Sequence, residues 1–380
     1  MFMRRSFSSK TCDHEPLRIL FCGSDAFSIA SLQALHTEKT KRPDSIASID
    51  VICRPGKRYG RGLKEIREVP IKAAARSLSL PIHEIDTFTG WTSPGSKRID
   101  LIIAVSFGLF VPPRILKAST YGGLNVHPSL LSNFRGPAPL HHTLLAGHSR
   151  TGVTLQTLHP ESFDHGIILD QSPPPGIMIP NPETCTVLEL LDVVAPKGAE
   201  MLVKGVRNRI FMPPLKNAGW HTPGENQKLI HAYKIKPADR HIDWSSWTWP
   251  EINRRQRVIG PLWNVALAAN KSSNGDISFK SRRVIFSKIE EVEPFRDCER
   301  FALIPGVPFI DGTLPLQPGE ERGLYVFTKD SKLIRIREMK VEGEQVSDAV
   351  RAAHRAQMVA NRPIHSAGHR FFCTFYNPLH

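Results

Sequence analysis

Two short polar segments carry side chains suited to acyl-group chemistry. Asn125 and His127 lie two positions apart at the end of a short predicted strand, residues 123–127. Because side chains alternate between the two faces of a strand, these two share one face, about 6–7 Å apart. An amide and an imidazole so placed can stabilise a carbonyl oxygen as it becomes an oxyanion, and can move a proton. Asp164, in Phe163-Asp164-His165-Gly166, adds a carboxylate that can orient an imidazole or take a proton from an amine. Taken singly, the histidine is also typical of a structural hydrogen-bonding residue and the aspartate of a turn former.

A third segment, residues 54–62, is rich in arginine and glycine. Seven basic and two acidic residues lie between Arg54 and Lys72. Arginine and lysine side chains can contact phosphate groups, and glycine lets the backbone approach a ligand closely. The alternative interpretation is a solvated basic loop.

Several other chemistries find no motif in this sequence. The glycine-rich dinucleotide pattern, the P-loop, H-E-x-x-H and C-x-x-C are all missing from the sequence, so nicotinamide, nucleoside-triphosphate and zinc chemistry have no motif support. The six cysteines are scattered without a close pair, which favours free thiols in a reducing compartment over a disulfide framework. The isolated pair His141-His142 does not predict a metal site, and we expect no metal.

Length and charge restrict the class of protein. A chain of 380 residues corresponds to two or three domains at about 150 residues each. Apolar residues make up 41% of it, which excludes wholesale disorder. The net charge of +14, from 50 basic and 36 acidic residues, indicates a polyanionic partner such as nucleic acid. The longest apolar run, residues 101–113, is interrupted by Ser106, Gly108 and prolines, so we expect no membrane span.

The elements that must position these residues alternate between strand and helix over the first half of the chain. This order predicts a doubly wound, mostly parallel sheet. Apolar runs and alternation predict strands at residues 17–22, 46–53, 101–105, 123–127 and 152–158. A 3.6-residue periodicity predicts helices after Gly23 and at 70–79, 138–146 and 184–209. We expect the last helix to be bent or broken at Pro196.

The pattern changes after a proline-rich and polar linker, residues 213–227. Short alternating runs beyond Arg283, separated by turn residues and without helices between them, predict a small β-barrel or sandwich. We therefore expect a first domain at 16–212 and a second at 228–380. Residues 1–15 are rich in arginine and serine and poor in acids until Asp13, which fits an organellar transit peptide; a disordered basic tail is the alternative.

The order of these segments resembles the folate-dependent formyltransferases. The resemblance covers residues 17–265 well, and it is carried by Gly23 and Phe27, the 54–62 loop, Asn125-x-His127-x-Ser129-Leu130-Leu131, Arg135-Gly136 and Asp164-x-Gly166. Residues 135–139, 144–147, 151–154 and 233–244 are similar to the branch of that family that formylates the methionine on initiator tRNA. The sequence departs from the family pattern at Ser132, where proline is usual, and at Ile167, where aspartate is common.

The resemblance implies a Rossmann-like catalytic domain followed by a smaller, OB-like β-barrel that binds tRNA. The donor would be 10-formyltetrahydrofolate and the acceptor initiator methionyl-tRNA, in the mitochondrial matrix, with the protein a monomer and no metal involved. Asn125, His127 and Asp164 match the catalytic positions of the family. Position in the family assigns the donor site to Phe107, Gly108, Leu109, Ser129, Leu130, Leu131 and Ser132, and the tRNA acceptor end to Arg54, Lys57, Arg58 and Arg61.

Two other functions stay open on the sequence alone. One is formyl transfer to a sugar-nucleotide or another small amine, which would not need a basic second domain. The other is a non-catalytic RNA-binding protein on the same scaffold. Retention of all three polar residues, Asn125, His127 and Asp164, favours an enzyme.

Overall fold

A computed structural model describes residues 15–93, 98–221, 228–271, 277–295, 305–310, 323–356, 358, 370–371 and 375–376. The predicted transit segment, apart from Glu15, lies outside these described residues. The chain divides into two compact units, Met1–Lys234 and Ile235–His380.

The first unit alternates strands and helices. Its strands are β1 (Leu17–Gly23), β2 (Ile46–Cys53), β3 (Lys57–Tyr59), β4 (Glu65–Arg67), β5 (Ile82–Glu84), β6 (Leu101–Val105), β7 (Gly123–His127), β8 (Arg150–Thr151), β9 (Thr154–Thr157), β10 (Ile168–Gln171) and β11 (Ile177–Met178). Its helices are α1 (Ala26–Lys41), α2 (Pro70–Ser77), α3 (Pro113–Ala118), α4 (Pro139–Leu145) and α5 (Val187–Arg207), with a 3-10 turn at Arg61–Leu63.

The main sheet of this unit has the strand order β10-β9-β7-β6-β1-β2-β5. The five strands from β7 to β5 are parallel, as the alternating pattern predicted. Strands β9 and β10 are antiparallel to their neighbours, so the sheet is mixed at one side. A loop without a helix joins β9 to β10, and such a connection suits antiparallel strands.

Burial explains why the central strands form where the apolar runs predicted them. Every residue of β6 is buried, as expected for a strand covered on both faces. On one face, Leu20 and Cys22 of β1 share a core cluster with Ile115 and Leu116 of α3. Helices α1 and α5 pack against each other, with α5 also against β7, β9 and β10.

The two long helices begin at caps that the sequence encodes. The Asp25 carboxylate accepts a hydrogen bond from the Ser28 N–H at the start of α1 (3.1 Å). At the start of α5, Thr186 and Glu189 form a reciprocal capping box, which satisfies two backbone donors that would otherwise lack partners. Helix α5 continues through Pro196 over its full length, so it is not broken there.

Glu38 and Arg207 join α1 to α5 by a two-point ion pair. Arg207 Nε and Nη2 donate to the two carboxylate oxygens of Glu38 at 2.9 and 2.7 Å, and the Glu38 side chain is only 4% exposed. The Arg207 guanidinium holds the pKa of Glu38 below its ordinary value of 4.5. The carboxylate therefore adds stability above that pH, and the contribution is lost as the pH falls through the lowered pKa.

We expect Glu38→Gln to reduce the free energy of unfolding by about 1–3 kcal/mol at pH 7, because it removes a buried, charge-assisted pair. Urea titrations from pH 8 to pH 3.5 should show a constant difference from the parent above about pH 5, and a shrinking one below. Glu200→Gln is the control, since its pair with Lys197 is 3.8 Å long and exposed. A pH-independent loss would contradict the charge argument.

The second unit is built around an antiparallel sheet. Its strands are β12 (Leu262–Lys271), β13 (Ile277–Glu291), β14 (Phe309–Ile310), β15 (Leu324–Phe327), β16 (Leu333–Val341), β17 (Ser347–Asp348), β18 (Arg370–Phe371) and β19 (Phe375–Tyr376), with helices α6 (Trp249–Ile259) and α7 (Ala349–Arg355) and a 3-10 turn at Pro237–Arg240. The strand order is β18-β14-β15-β16-β13-β12-β19, with β17 on β16. Consecutive short strands were predicted here, whereas α6 and α7 were not. In the described parts of the chain, no helix combines the length and apolar character needed to cross a membrane.

Candidate active site

Asn125 and His127 lie at the carboxyl end of β7, where ligands bind in open α/β sheets. The Asn125 side chain is half-buried, and one of its two Nδ2 hydrogens donates to the Ala104 carbonyl oxygen of the neighbouring strand at 2.9 Å. His127 is 5% exposed. Asp164 comes from the loop between β9 and β10, where its backbone adopts a φ of 56°.

The structure brings the predicted imidazole and carboxylate into contact. His127 Nδ1 lies 3.4 Å from Asp164 Oδ1, and both side chains are at least nine-tenths buried. His127 Nε2 lies 2.9 Å from the Phe134 carbonyl oxygen. A carbonyl can only accept, so Nε2 carries a hydrogen in this arrangement. Nδ1 is therefore the ring nitrogen that faces the Asp164 carboxylate.

Asp164 is fixed by donors from an adjoining loop. The Gly136 N–H donates to Asp164 Oδ2 at 2.9 Å, and Arg135 Nε donates to the Asp164 carbonyl oxygen at 2.8 Å. Gly136 has a φ of 121°, in the region that favours glycine. The Arg135-Gly136 pair therefore holds the carboxylate that faces His127.

Gln156 joins the three predicted residues, and the sequence analysis did not single it out. It is 1% exposed, and its Nε2 donates to both Asn125 Oδ1 and Asp164 Oδ1 at 3.2 Å. Its Oε1 accepts from the Gly166 N–H at 3.2 Å. Gln156 sits directly opposite Asn125 in the antiparallel pairing of β9 with β7. The alternating pattern of residues 152–158 predicts which face of the strand Gln156 occupies. It does not predict which strand pairs with this one.

The loop after β7 is held from beneath by buried polar side chains. Ser129 Oγ donates to the Asn133 carbonyl oxygen at 2.8 Å, and Thr154 Oγ1 donates to that of Ser129 at 2.7 Å. Gln171 Nε2 donates to the Leu131 carbonyl oxygen at 2.8 Å. Ser129 and Leu131 are buried, whereas Leu130 and Ser132 are half-buried. The two half-buried residues are the members of this set with surface to offer a ligand.

The other predicted donor-binding segment follows β6. Phe107 is a core residue with its ring edge-to-face with Phe88 at 6.1 Å, and Gly108 adopts a φ of 76°. Leu109 lines a cavity of about 320 Å³, together with Asp86, Thr87, Phe88, Thr89, Phe110, Pro112 and Arg114. The Phe110 ring also meets that of Phe163, beside Asp164, edge-to-face at 5.1 Å.

The basic segment folds into a small hairpin of β3 and β4. Lys57 and Arg58 are exposed, whereas Arg54 pairs with Asp86 at 3.0 Å, a residue of the 320 Å³ cavity. Arg67 lies 4.7 Å over the Tyr59 ring. The predicted Arg61 has its backbone in the turn of the hairpin, and its side chain lies outside the described residues. Between the described parts of this hairpin and the Asn125, His127 and Asp164 side chains, the structure shows no direct hydrogen bond or ion pair.

No group of three or more histidine, cysteine, aspartate or glutamate side chains with the arrangement of a metal site occurs among the residues that the structure describes. The polar network around His127 is instead composed of amide, imidazole and carboxylate groups that already bond to one another. Such a network suits proton transfer and oxyanion stabilisation.

Comparison with known proteins adds to this geometry. Residues 17–193 match the family model described as Formyl transferase. The mitochondrial methionyl-tRNA formyltransferase of Bos taurus is 35% identical over 65% of this chain and 58% of its own length, and that of Homo sapiens is 34% identical over 67% and 60%. The enzyme of that name from Saccharomyces cerevisiae is 31% identical over 75% of this chain and 77% of its own.

The matched region thus spans about 60% of the length of the bovine and human relatives. Among solved structures, the sugar 3N-formyl transferase WlaRD covers 87% of this chain and 100% of its own, at 15% identity and a TM-score of 0.48.

Proposed function

The chain belongs to the formyl transferase family, and we propose that it is a monomeric enzyme that moves the formyl group of 10-formyltetrahydrofolate to the α-amino group of methionine on initiator tRNA, in the mitochondrial matrix. The observation that carries this proposal is the hydrogen-bonded network of Asn125, His127, Asp164 and Gln156 at the carboxyl end of β7. The likeness to mitochondrial methionyl-tRNA formyltransferases supports the acceptor and the compartment.

Each member of the network has a part in the proposed reaction. The methionine nitrogen attacks the formyl carbon, and the carbonyl oxygen becomes an oxyanion. Asn125 uses one Nδ2 hydrogen for Ala104, which leaves the other for that oxygen. Collapse of the tetrahedral intermediate restores the carbonyl and breaks the bond between the formyl carbon and the folate nitrogen.

The proton balance of the reaction requires a group that accepts a proton in one step and donates a proton in another. The neutral amine loses one proton when the new amide forms, and the departing folate nitrogen gains one. His127 and Asp164, 3.4 Å apart, can take the first and supply the second, with no net change. An α-amino group has an ordinary pKa near 7.7–8.0, so most of it is protonated at pH 7. The Asp164 carboxylate can bind this ammonium form and accept its extra proton, which passes to solvent before the neutral amine attacks.

We place the donor between Leu109 of the segment after β6 and the half-buried Leu130 and Ser132 of the loop after β7. The 320 Å³ cavity that Leu109 borders and the exposed Phe163 ring offer apolar and aromatic surface for a heteroaromatic ring. Phe107, Gly108, Ser129 and Leu131 then shape this site chiefly through the backbone.

We propose that the tRNA contacts Lys57, Arg58 and Arg61 of the hairpin. We also propose that the second unit is an OB-like barrel domain that recognises the shape of the tRNA and contacts its phosphates. Arg54, paired with Asp86, would help to hold the base of the hairpin. The net charge of +14 and the antiparallel sheet of the second unit support this assignment. Binding through phosphates makes affinity fall steeply with salt.

The acceptor is tested by comparing substrates. We expect kcat/KM for methionyl-initiator tRNA to exceed that for free methionine and for an amino-sugar nucleotide by at least about a hundredfold. KM for the tRNA should rise about tenfold or more between 50 and 200 mM salt. Uncharged tRNA is the control for binding without transfer. Efficient, salt-insensitive transfer to the sugar nucleotide would favour the small-amine alternative. Tight tRNA binding without any formyl transfer would favour a non-catalytic RNA-binding protein.

Gln156 gives a further prediction, since it positions groups without needing to touch substrate. We expect Gln156→Leu, which keeps the volume but removes the bonds to Asn125 and Asp164, to lower kcat about 10- to 100-fold with KM changed less than about threefold. Gln171→Leu is the matched control, because Gln171 supports Leu131 and should chiefly raise KM for the donor. Equal kcat values for the Gln156 variant and the parent would contradict the positioning role.

A further inference from the structure

An exposed pair of stacked rings lies beside Gly136, which holds the Asp164 carboxylate, and has no part in the mechanism above. His231 and Tyr233 stack with ring centroids 4.2 Å apart and an interplanar angle of 27°. Both residues are exposed, and Tyr233 retains 65% of its surface. A tyrosine ring that is stacked on one side and exposed on the other has a free π-face on which a second ring can stack.

The backbone that carries these rings is fixed. Ala232, between them, is fully buried; its N–H donates to the Arg135 carbonyl oxygen at 2.7 Å, and its own carbonyl accepts from the Ala138 N–H at 3.2 Å. His142 Nε2 lies 2.9 Å from the Tyr233 carbonyl oxygen. The backbone that carries the ring pair is therefore held in place before any ligand arrives.

The same segment lies against the residue that holds Asp164. A Cβ atom added at Gly136 would lie 2.5 Å from the Ala232 carbonyl oxygen and 2.9 Å from His231 Cε1. The Gly136 N–H in turn donates to Asp164 Oδ2. One glycine thus separates the His231 ring from the carboxylate proposed to receive the amine.

We propose that His231 and Tyr233 form a stacking platform for the terminal nucleobase of the acceptor tRNA, an inference that rests on the proposed function. The α-amino nitrogen is three bonds from the ester oxygen on the terminal ribose, so an amine held at Asp164 brings the terminal nucleoside to the neighbouring rings. Every nucleobase offers a π-face to an aromatic side chain. Exposed Lys234, next in the chain, supplies a charge for the adjoining phosphate.

The platform suits the acceptor better than the donor because another aromatic pair serves the donor side. Phe110 and Phe163 meet at 5.1 Å, and Phe110 lines the same cavity as Leu109. His231 and Tyr233 are instead connected to Arg135, Gly136 and Ala138, on the side of Asp164 that Gly136 covers.

Two minihelices test the platform, one with the complete 3′ end and one lacking the terminal nucleoside. Neither carries an amino acid, so binding is measured apart from turnover. The parent should bind the complete minihelix about tenfold more tightly than the shortened one. Tyr233→Ala should reduce that ratio to within about twofold of unity, and Tyr233→Phe should retain it. Tyr59→Ala, an exposed tyrosine of the basic hairpin, is the control and should leave the ratio unchanged.

An unchanged ratio in Tyr233→Ala, or a raised KM for the formyl donor in its place, would overturn the platform. Formyl transfer to methionyl-tRNA by the parent is measured separately. Transfer with no effect of Tyr233 on the ratio refutes the platform alone, whereas a Tyr233-dependent ratio without transfer refutes the proposed function and leaves nucleobase stacking established.

Discussion

Asp164→Asn is expected to lower kcat for formyl transfer by a factor on the order of 10²–10³. The amide keeps the volume of the carboxylate and can still accept from the Gly136 N–H. It cannot hold a negative charge beside His127 Nδ1, 3.4 Å away, and it cannot take the proton of the attacking amine. The variant should fold and bind tRNA normally, so the loss belongs to the chemical step.

The control for this variant is Asp170→Asn. Asp170 lies on the neighbouring β10, where its carboxylate pairs with Lys204 at 3.4 Å, away from His127. Its kcat should stay within about twofold of the parent. Single-turnover rates with pre-bound tRNA measure both variants under equal conditions. If Asp164→Asn retained more than about a fifth of the parental rate, the proposed role of this carboxylate would be wrong.

Gly166→Ala is expected to cost more than about 3 kcal/mol of unfolding free energy. A Cβ atom at this position would lie 1.7 Å from the Thr157 carbonyl oxygen, a distance that no side-chain rotation can relieve. The backbone would have to move, and the Gly166 N–H would then leave Gln156 Oε1. The variant should therefore lose both folding stability and the hydrogen bond that holds Gln156 in the site.

Gly122→Ala separates the steric cost from the conformational cost. Gly122 has a φ of 67°, and none of the described residues has an atom within 4 Å of a Cβ atom placed there, so alanine should cost only about 1–2 kcal/mol. Urea unfolding, or soluble yield where a variant does not fold, compares the two. Equal stability of both variants would mean that the loop bearing Asp164 is not packed against β9 as described.

Much of the first unit was predictable because its strands are short apolar runs flanked by turn residues. Leu101–Val105 is apolar throughout, which predicts a central strand covered on both faces, and every residue of it is buried in the structure. Asn125 and His127 stood out because polar side chains end such a strand. The contact between His127 and Asp164, 37 positions apart, followed from the family resemblance rather than from spacing.

The supports of the site could not be read from the sequence, because they depend on long-range pairing. Gln156 meets Asn125 only through the antiparallel register of β9 on β7, and alternation does not specify a partner strand. Residues 230–232 pair with 134–138 through backbone hydrogen bonds outside regular strands. Backbone groups carry no side-chain identity, so composition and periodicity do not report that contact.

The most direct test of the proposed function follows the formyl group itself. The donor carries a ¹³C-labelled formyl group, the acceptor is methionyl-initiator tRNA, and the mass of the amino acid is measured after hydrolysis of its ester bond. We predict N-formylmethionine that contains the label with the parent protein, and at least about a hundredfold slower labelling with Asn125→Ala or His127→Ala. Unlabelled methionine from the parent with both substrates bound, or equal labelling by the parent and these variants, would contradict the account.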